Sequence, residues 1–321
     1  MKTRMSTCLA VAAWLALGMP AASAIERAPY SGIVVFGTSL SDSGNAFALR
    51  GGASTPHDYD LDPLLIPGVP YTRGGHHFSN GATWIEQFAN SIGLAGSVRP
   101  AFAPSSSKPT NYAVGSARAY DDGINVNLGE QVDAFLADVN GVAPPDALYV
   151  IEMGSSDIRD AIVAFQTGGA TAAQAILEQA IMSIAQNLNR LQAAGAQQFL
   201  VWLPPDVGLT PALRTLAQIN PQLTALATFL TTTFNSTLRS TLTALYPGLD
   251  VTYLDAYALL NSIMTDPSGY GLTNVRSACV MPNVAPFVCQ APDEYLFWDG
   301  IHPSRAAHGI AAQEAARVLA Q

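Results

Sequence analysis

The stretch Ile33-Val34-Val35-Phe36-Gly37-Thr38-Ser39-Leu40-Ser41-Asp42-Ser43-Gly44-Asn45 places a short apolar run directly before a cluster of small polar residues. The β-branched and aromatic side chains of residues 33–36, ended by a glycine, predict a buried strand. Ligands of open parallel sheets bind beyond the carboxyl ends of the strands, so a site is expected here. Ser39 stands in a strand-to-helix turn with unpaired N–H groups nearby. The alternative is that Ser39 or Ser41 only caps a following helix.

Further apolar runs alternate with helical patterns along the rest of the chain. Most of these runs are continuously apolar, which is typical of a parallel sheet covered on both faces. The sequence therefore predicts one doubly wound α/β domain. A long polar segment, residues 50–80, is expected to form an irregular wall or lid beside a site. The predicted strands are residues 33–36, 111–114, 147–153, 199–203 and 251–254, and the predicted helices are residues 83–92, 177–191, 226–245 and 304–319.

The first 24 residues have the pattern of a signal peptide. Lys2 and Arg4 precede an apolar run over residues 8–19, and Ala22-Ser23-Ala24 supplies small residues at a cleavage site. That run is shorter than the roughly 20 residues a spanning helix needs. We therefore expect a signal peptide over residues 1–24, a domain over residues 25–321, a secreted or periplasmic protein, and no stable membrane insertion. An uncleaved membrane anchor is the alternative.

Composition and cysteine content exclude several classes. The 321 residues are 49% hydrophobic and 12% charged, which argues against a disordered chain and against a coiled coil. A net charge of −9 argues against nucleic-acid binding. Once Cys8 leaves with the signal peptide, Cys279 and Cys289 remain as a pair that an oxidising compartment favours as a disulfide. Two free thiols are the alternative, and no zinc site is expected.

A second polar motif lies near the carboxyl end, in Phe297-Trp298-Asp299-Gly300-Ile301-His302-Pro303-Ser304. On a tight turn, a spacing of three residues lets the Asp299 carboxylate reach Nδ1 of His302. Nε2 of His302 then faces outward as a general base. The alternative is a surface Asp–His pair beside the last helix. A serine after the first strand followed late in the chain by this motif makes the catalytic interpretation the stronger one.

These residues resemble the SGNH (GDSL) hydrolases. The similarity to that family's G-D-S-L-S-D-x-G-N motif is carried by residues 37–45, and Thr38 stands where the family has aspartate. The remaining blocks are Phe78-Ser79-Asn80-Gly81 with Asn111-Tyr112-Ala113-Val114-Gly115-Ser116-Ala117, then Gly154-Ser155-Ser156-Asp157, then residues 297–304. Together they cover most of the predicted domain, in the family's order.

The resemblance implies a three-layer α/β/α hydrolase that cleaves carboxylic esters and needs no cofactor. By this carry-over, Ser39 is the nucleophile, His302 the base and Asp299 its orienting acid. The implied oxyanion hole comprises the Ser39 N–H, a backbone N–H at Gly115 or Ser116, and a side-chain donor at Ser156, where the family has asparagine. The implied substrate is a small-molecule or lipid ester.

Other interpretations stay open from the sequence. The serines at 116 and 156 leave room for a weakly active or non-catalytic protein that binds an ester or a glycan, and acyl transfer is a third possibility. Several aromatic residues are candidates either for an acyl pocket or for the core, and Asp157 either lines the site or caps a helix. These aromatic residues are Tyr71, Phe78, Trp84 and Trp298. Loop residues His57, Asp58, His76 and His77 lack the spacing of a metal site, so no metal is expected.

Overall fold

A computed structural model describes residues 29–56, 59, 61–104 and 110–321. The predicted signal peptide lies outside the described residues. The main strands are β1 (Ile33–Gly37), β2 (Leu148–Glu152), β3 (Gln198–Leu203) and β4 (Asp250–Asp255). The helices are α1 (Asn45–Leu49), α2 (Trp84–Ser91), α3 (Leu128–Asp138), α4 (Ser155–Ala193), α5 (Pro211–Ala217), α6 (Gln222–Leu245), α7 (Ala256–Thr265) and α8 (Arg305–Leu319).

The four main strands form one parallel sheet in the order β1-β2-β3-β4. Val35 of β1 pairs with Val150 of β2, which pairs with Leu200 of β3. Because the strands are parallel and in sequence order, their carboxyl ends share one edge, as the alternation of strands and helices predicted. The sheet confirms four of the five predicted strands.

The prediction of a strand over residues 111–114 is wrong in part. Tyr112 and Val114 donate their N–H groups to the carbonyls of Val35 and Gly37, so the segment does follow β1. The ladder then stops, because the Gln131 side chain takes both the N–H and the carbonyl of Gly37, at 2.8 and 2.9 Å. Asn111 therefore forms only an isolated bridge to Val35.

Helices cover both faces of the sheet. Side chains alternate along each strand, so Val34 and Phe36 of β1 join one cluster and Ile33 and Val35 join the other. The first cluster packs against α3, α4 and α6, and the second packs against α2 and α8. This arrangement confirms the predicted three-layer α/β/α architecture in a single domain.

The helix prediction covered only the second half of α4. The whole element runs over Ser155–Ala193 and is interrupted by a backbone kink at Gly169, where φ is 73°. Two adjacent glycines, Gly168 and Gly169, interrupt the helical pattern in the sequence, so the pattern does not indicate one continuous element. No helix in the described part of the chain is both long and apolar enough to cross a membrane.

A small second sheet supports the carboxyl-terminal motif. Its parallel strands are β5 (Asn274–Ala278) and β6 (Tyr295–Phe297). The predicted disulfide joins Cys279 and Cys289, both of which are buried. The N–H of Cys279 donates to the carbonyls of Phe297 and Trp298, at 3.1 and 3.0 Å. The disulfide-linked loop is thus bound to the two residues that precede Asp299.

Candidate active site

Three side chains from the two ends of the chain meet at the carboxyl edge of the sheet. Ser39 lies in the turn after β1, and Asp299 and His302 lie in the turn before α8. Nε2 of His302 is 2.9 Å from Oγ of Ser39, and Nδ1 of His302 is 2.7 Å from Oδ2 of Asp299. Asp299 is fully buried and His302 almost so, while Ser39 is half-buried. The arrangement can pass a proton from a serine hydroxyl to an oriented imidazole.

The Asp299 carboxylate is held by four hydrogen bonds. Oδ1 accepts from the N–H groups of Ile301 and His302, at 2.9 and 2.7 Å. Oδ2 accepts from the phenol of Tyr71 at 2.8 Å, in addition to His302. Burial, followed by the charge of Asp299, raises the pKa of Tyr71 well above its usual value, so its hydroxyl remains a donor. Sequence reasoning placed Tyr71 only in an acyl pocket or the core.

Described residues of the segment from 50 to 80 form a wall beside the site, as predicted. The N–H of Gly300 donates to the carbonyl of Leu65 at 2.8 Å. A Cβ at position 300 would lie 1.8 Å from the Leu64 carbonyl oxygen, so only glycine fits at this position, directly after Asp299. Ile66 and Pro67 of the same segment line a cavity at Ser39.

Asp42 fixes the turn that carries Ser39. Its carboxylate accepts from the N–H groups of Gly44, Asn45 and Ala46, between 2.6 and 3.0 Å, and from the N–H of Gly115 at 2.8 Å. Burial raises the pKa of this carboxyl against the lowering effect of these donors. The aspartate of the Ser39 motif therefore positions backbone and does not contact the reacting groups.

The contact with Asp42 also distinguishes Gly115 from Ser116. The N–H of Gly115 is occupied, so the assignment of Gly115 as an oxyanion donor is corrected. A Cβ there would come within 2.2 Å of Phe78, whose ring lies 5.3 Å from the His302 ring, so the glycine serves this packing. Within the described residues, nothing accepts from the N–H of Ser39 or of Ser116. Ser116 adopts a φ of 75°, where glycine is favoured.

Two adjoining cavities open at Ser39. They share Ser39, Ser156, Arg159, Ile301 and His302. The rest of the first cavity is largely apolar and includes Leu40, Pro205, Val207 and Leu213. The second includes Ile66, Pro67, Phe78, Ser116 and Arg118. Ser39, Ser116 and Ser156 thus line one cavity together, whereas Gly115 does not line either of the two.

A family model described as GDSL-like lipase/acylhydrolase matches residues 33–315. The chain belongs to this family. The match includes every residue of the candidate site and supports a carboxylic-ester hydrolase.

Named relatives agree with the GDSL assignment. A GDSL esterase/lipase of Arabidopsis thaliana is 26% identical, over 87% of this chain and 85% of the relative. Another from the same plant is 27% identical, over 87% and 82%. The thermolabile hemolysin of Vibrio parahaemolyticus is 25% identical over 88% of this chain, which spans 62% of the hemolysin.

Thr38, which departs from the GDSL motif, has a structural partner. Its N–H and its hydroxyl both donate to the Glu152 carboxylate, between 3.0 and 3.1 Å. Burial raises the pKa of Glu152 to about 7. Asp157 is also buried, with its pKa raised to about 7 by that burial, and it accepts from the N–H of Ala119 at 2.8 Å. Glu152 and Asp157 line neither of the two cavities, so these carboxylates hold backbone near the site and do not face a substrate.

The remaining candidates have structural surroundings. Trp84 is buried and donates its indole N–H to Ser41 at 3.0 Å, and Trp298 packs edge-on against Tyr71. Nε2 of His77 is 2.9 Å from Oε2 of Glu86, and the ring of His76 stacks on the ring of Phe47. His57 and Asp58 lie outside the described residues. Within the described ranges, no group of three His, Cys, Asp or Glu side chains could hold a metal ion.

We expect Ser156→Asn to raise kcat by up to about 10²-fold. The Ser156 side chain has no hydrogen-bond partner among the described residues and lines both cavities. An amide reaches farther than a hydroxyl, and deleting one oxyanion donor typically costs about 10²–10³ in kcat. The measurement is kcat and KM on one ester, with the gain confined to kcat.

Ser156→Ala provides the matched comparison for this experiment. It is expected to lower kcat, because it removes the hydroxyl without adding bulk. A folded Ser156→Asn protein with unchanged or reduced kcat would contradict the role of position 156 as a weakened donor.

Proposed function

We propose that the chain is an exported esterase that hydrolyses carboxylic esters through an acyl-enzyme on Ser39. The observation that carries this proposal is the continuous contact from Ser39 through His302 to Asp299, with separations of 2.9 and 2.7 Å. A buried carboxylate holding the proton on Nδ1 leaves the lone pair of Nε2 for the serine hydroxyl. Family membership supports the reaction class.

In the first half of the reaction, His302 takes the Ser39 proton as Oγ attacks the ester carbonyl carbon. The oxyanion that forms accepts hydrogen bonds from the N–H groups of Ser39 and Ser116 and from the Ser156 hydroxyl. When the intermediate collapses, the bond to the alcohol breaks and the alcohol leaves with the proton from His302. The product is the acyl ester of Ser39.

In the second half, His302 takes a proton from water, whose oxygen attacks the acyl carbon. Collapse of this intermediate breaks the bond to Oγ, returns the proton to Ser39 and releases the carboxylic acid. If an alcohol replaces water at this step, the same groups perform acyl transfer.

The proposal includes export, to the periplasm or the exterior. The basic and apolar pattern of residues 1–24 and the disulfide both support it. Mass spectrometry of the protein recovered from the exporting cell tests this part. A mature chain that starts at Ile25 is expected, and an intact leader on protein retained in the cytoplasm would contradict it.

Hydrolysis of a p-nitrophenyl ester series by the purified mature protein tests the activity. We expect saturable turnover that a fluorophosphonate abolishes. Absence of turnover at every acyl length, in folded protein, would contradict the esterase and favour a protein that binds an ester or a glycan. Product analysis with added alcohol separates hydrolysis from acyl transfer.

A further inference from the structure

Arg159 is a cation without a counterion beside the candidate nucleophile. It lies on α4, three residues after Ser156, and lines both cavities together with Ser39 and His302. No described residue makes a hydrogen bond or an ion pair with its guanidinium. Burial lowers the pKa of Arg159, and the charge of Arg118 lowers it further.

Arg118, in the second cavity, is fully paired by contrast. Its Nε and Nη2 bind the two carboxylate oxygens of Asp160, at 2.8 and 3.0 Å, and Asp122 lies 3.5 Å away. Another of its nitrogens donates to the carbonyl of Ser116. Arg118 therefore holds the Ser116 backbone in place, and its positive charge is already neutralised by carboxylates.

A half-buried guanidinium without a counterion is costly, and proteins normally pair such a group or leave it in water. This chain has 24 acidic residues, so the missing counterion is not explained by a shortage of carboxylates. The charges of Asp160, Asp299 and Asp62 favour the protonated form of Arg159, but none of the three forms an ion pair with it. Asp160 binds Arg118 and Asp299 binds His302, whereas Asp62 accepts from the N–H groups of Leu64 and Ile66. The planar donor fork of an arginine matches the paired oxygens of a phosphate or a carboxylate.

We propose that Arg159 forms an anion subsite that selects esters whose alcohol part carries a phosphate or a carboxylate. The proposal rests on the esterase function. The apolar walls of the first cavity suit an acyl chain, whereas the exposed surface of the second cavity is mostly polar and suits a charged alcohol part. In a substrate placed in this way, the ester carbonyl lies at Oγ of Ser39 and the anionic group of the alcohol part lies at Arg159.

Matched pairs of esters test the proposal. One pair is 1-butyrylglycerol 3-phosphate and 1-butyrylglycerol; the other is 2-butyryloxyacetate and its amide, so the two pairs distinguish phosphate from carboxylate. We expect kcat/KM to favour the anionic member of at least one pair by about 10- to 100-fold, the range for a hydrogen bond to a charged group. Arg159→Gln should bring this ratio close to one, and Arg159→Lys should retain part of it.

Arg276→Gln is the matched control, because Arg276 is exposed on β5 and lines neither of the two cavities. It should keep the wild-type ratio. A ratio near one for both pairs in the wild type, or an unchanged ratio in Arg159→Gln, would overturn the anion subsite while leaving hydrolysis of neutral esters as evidence for the esterase.

Calorimetric titration with glycerol 3-phosphate and with glycolate provides a readout that does not depend on turnover. Binding of at least one of them is expected in the wild type and in Arg276→Gln, and loss of at least 10-fold in affinity is expected in Arg159→Gln. If the Arg159→Gln protein does not fold, Arg159→Met is used in its place, because methionine keeps the packing of the aliphatic part of the arginine side chain. Equal affinity in wild type and variant, or no binding by the wild type, refutes the subsite even if no ester is turned over.

Discussion

Ser39→Ala is expected to lower kcat/KM for ester hydrolysis by at least about 10⁴-fold and to abolish fluorophosphonate labelling. The substitution removes the only hydroxyl that contacts Nε2 of His302 among the described residues. Oxyanion donors and substrate binding would remain, so a small residual rate is expected, as when one member of a triad is lost. The fold should persist, because the change removes one hydrogen bond, worth about 1 kcal/mol.

Ser43→Ala provides the matched control for this prediction. It makes the same change in the same turn, and the Ser43 hydroxyl has no hydrogen-bond partner among the described residues. Labelling and kcat/KM should stay at the wild-type level. Undiminished labelling of the Ser39→Ala protein would assign the nucleophile to another residue.

The contact between Ser39 and His302 was predictable because each residue belongs to a local motif. Ser39 follows an apolar strand, and Asp299 and His302 are separated by a fixed spacing on one turn. The role of Tyr71 was not predictable in this way. Tyr71 reaches Asp299 across 228 positions, from a segment without regular structure, so no periodicity or spacing connects the two.

The proposed oxyanion donors show the same limit of sequence reasoning. Gly115 and Ser116 are adjacent, and the sequence offers no criterion for choosing between their N–H groups. The choice depends on Asp42, whose carboxylate takes the Gly115 N–H from 73 positions away. In the sequence, residues 111–114 have the pattern of a strand. In the structure, a single side chain, Gln131, ends their pairing with β1. Long-range hydrogen bonds of this kind override local propensity.

Asp299→Asn is expected to lower kcat/KM by about 10⁴-fold with little change of structure. Oδ1 accepts from two backbone N–H groups, of Ile301 and His302, so the amide oxygen of an asparagine must take that position. The amide NH₂ then takes the position of Oδ2 and faces Nδ1 of His302 and the phenol of Tyr71. A donor facing Nδ1 favours the tautomer with its proton on Nε2.

That tautomer cannot accept the Ser39 proton, since Nε2 already carries a hydrogen. The loss should therefore appear in kcat/KM for esters and in the rate of fluorophosphonate labelling alike, as known for the equivalent change in another triad. Asp293→Asn is the matched control, because Asp293 is exposed, pairs with Arg305 and lines neither of the two cavities. A decrease of less than about 10-fold in Asp299→Asn, with the control unaffected, would show that Asp299 does not set the protonation of His302. The two backbone donors leave the amide no other orientation, so the geometry of this turn makes the prediction sharp.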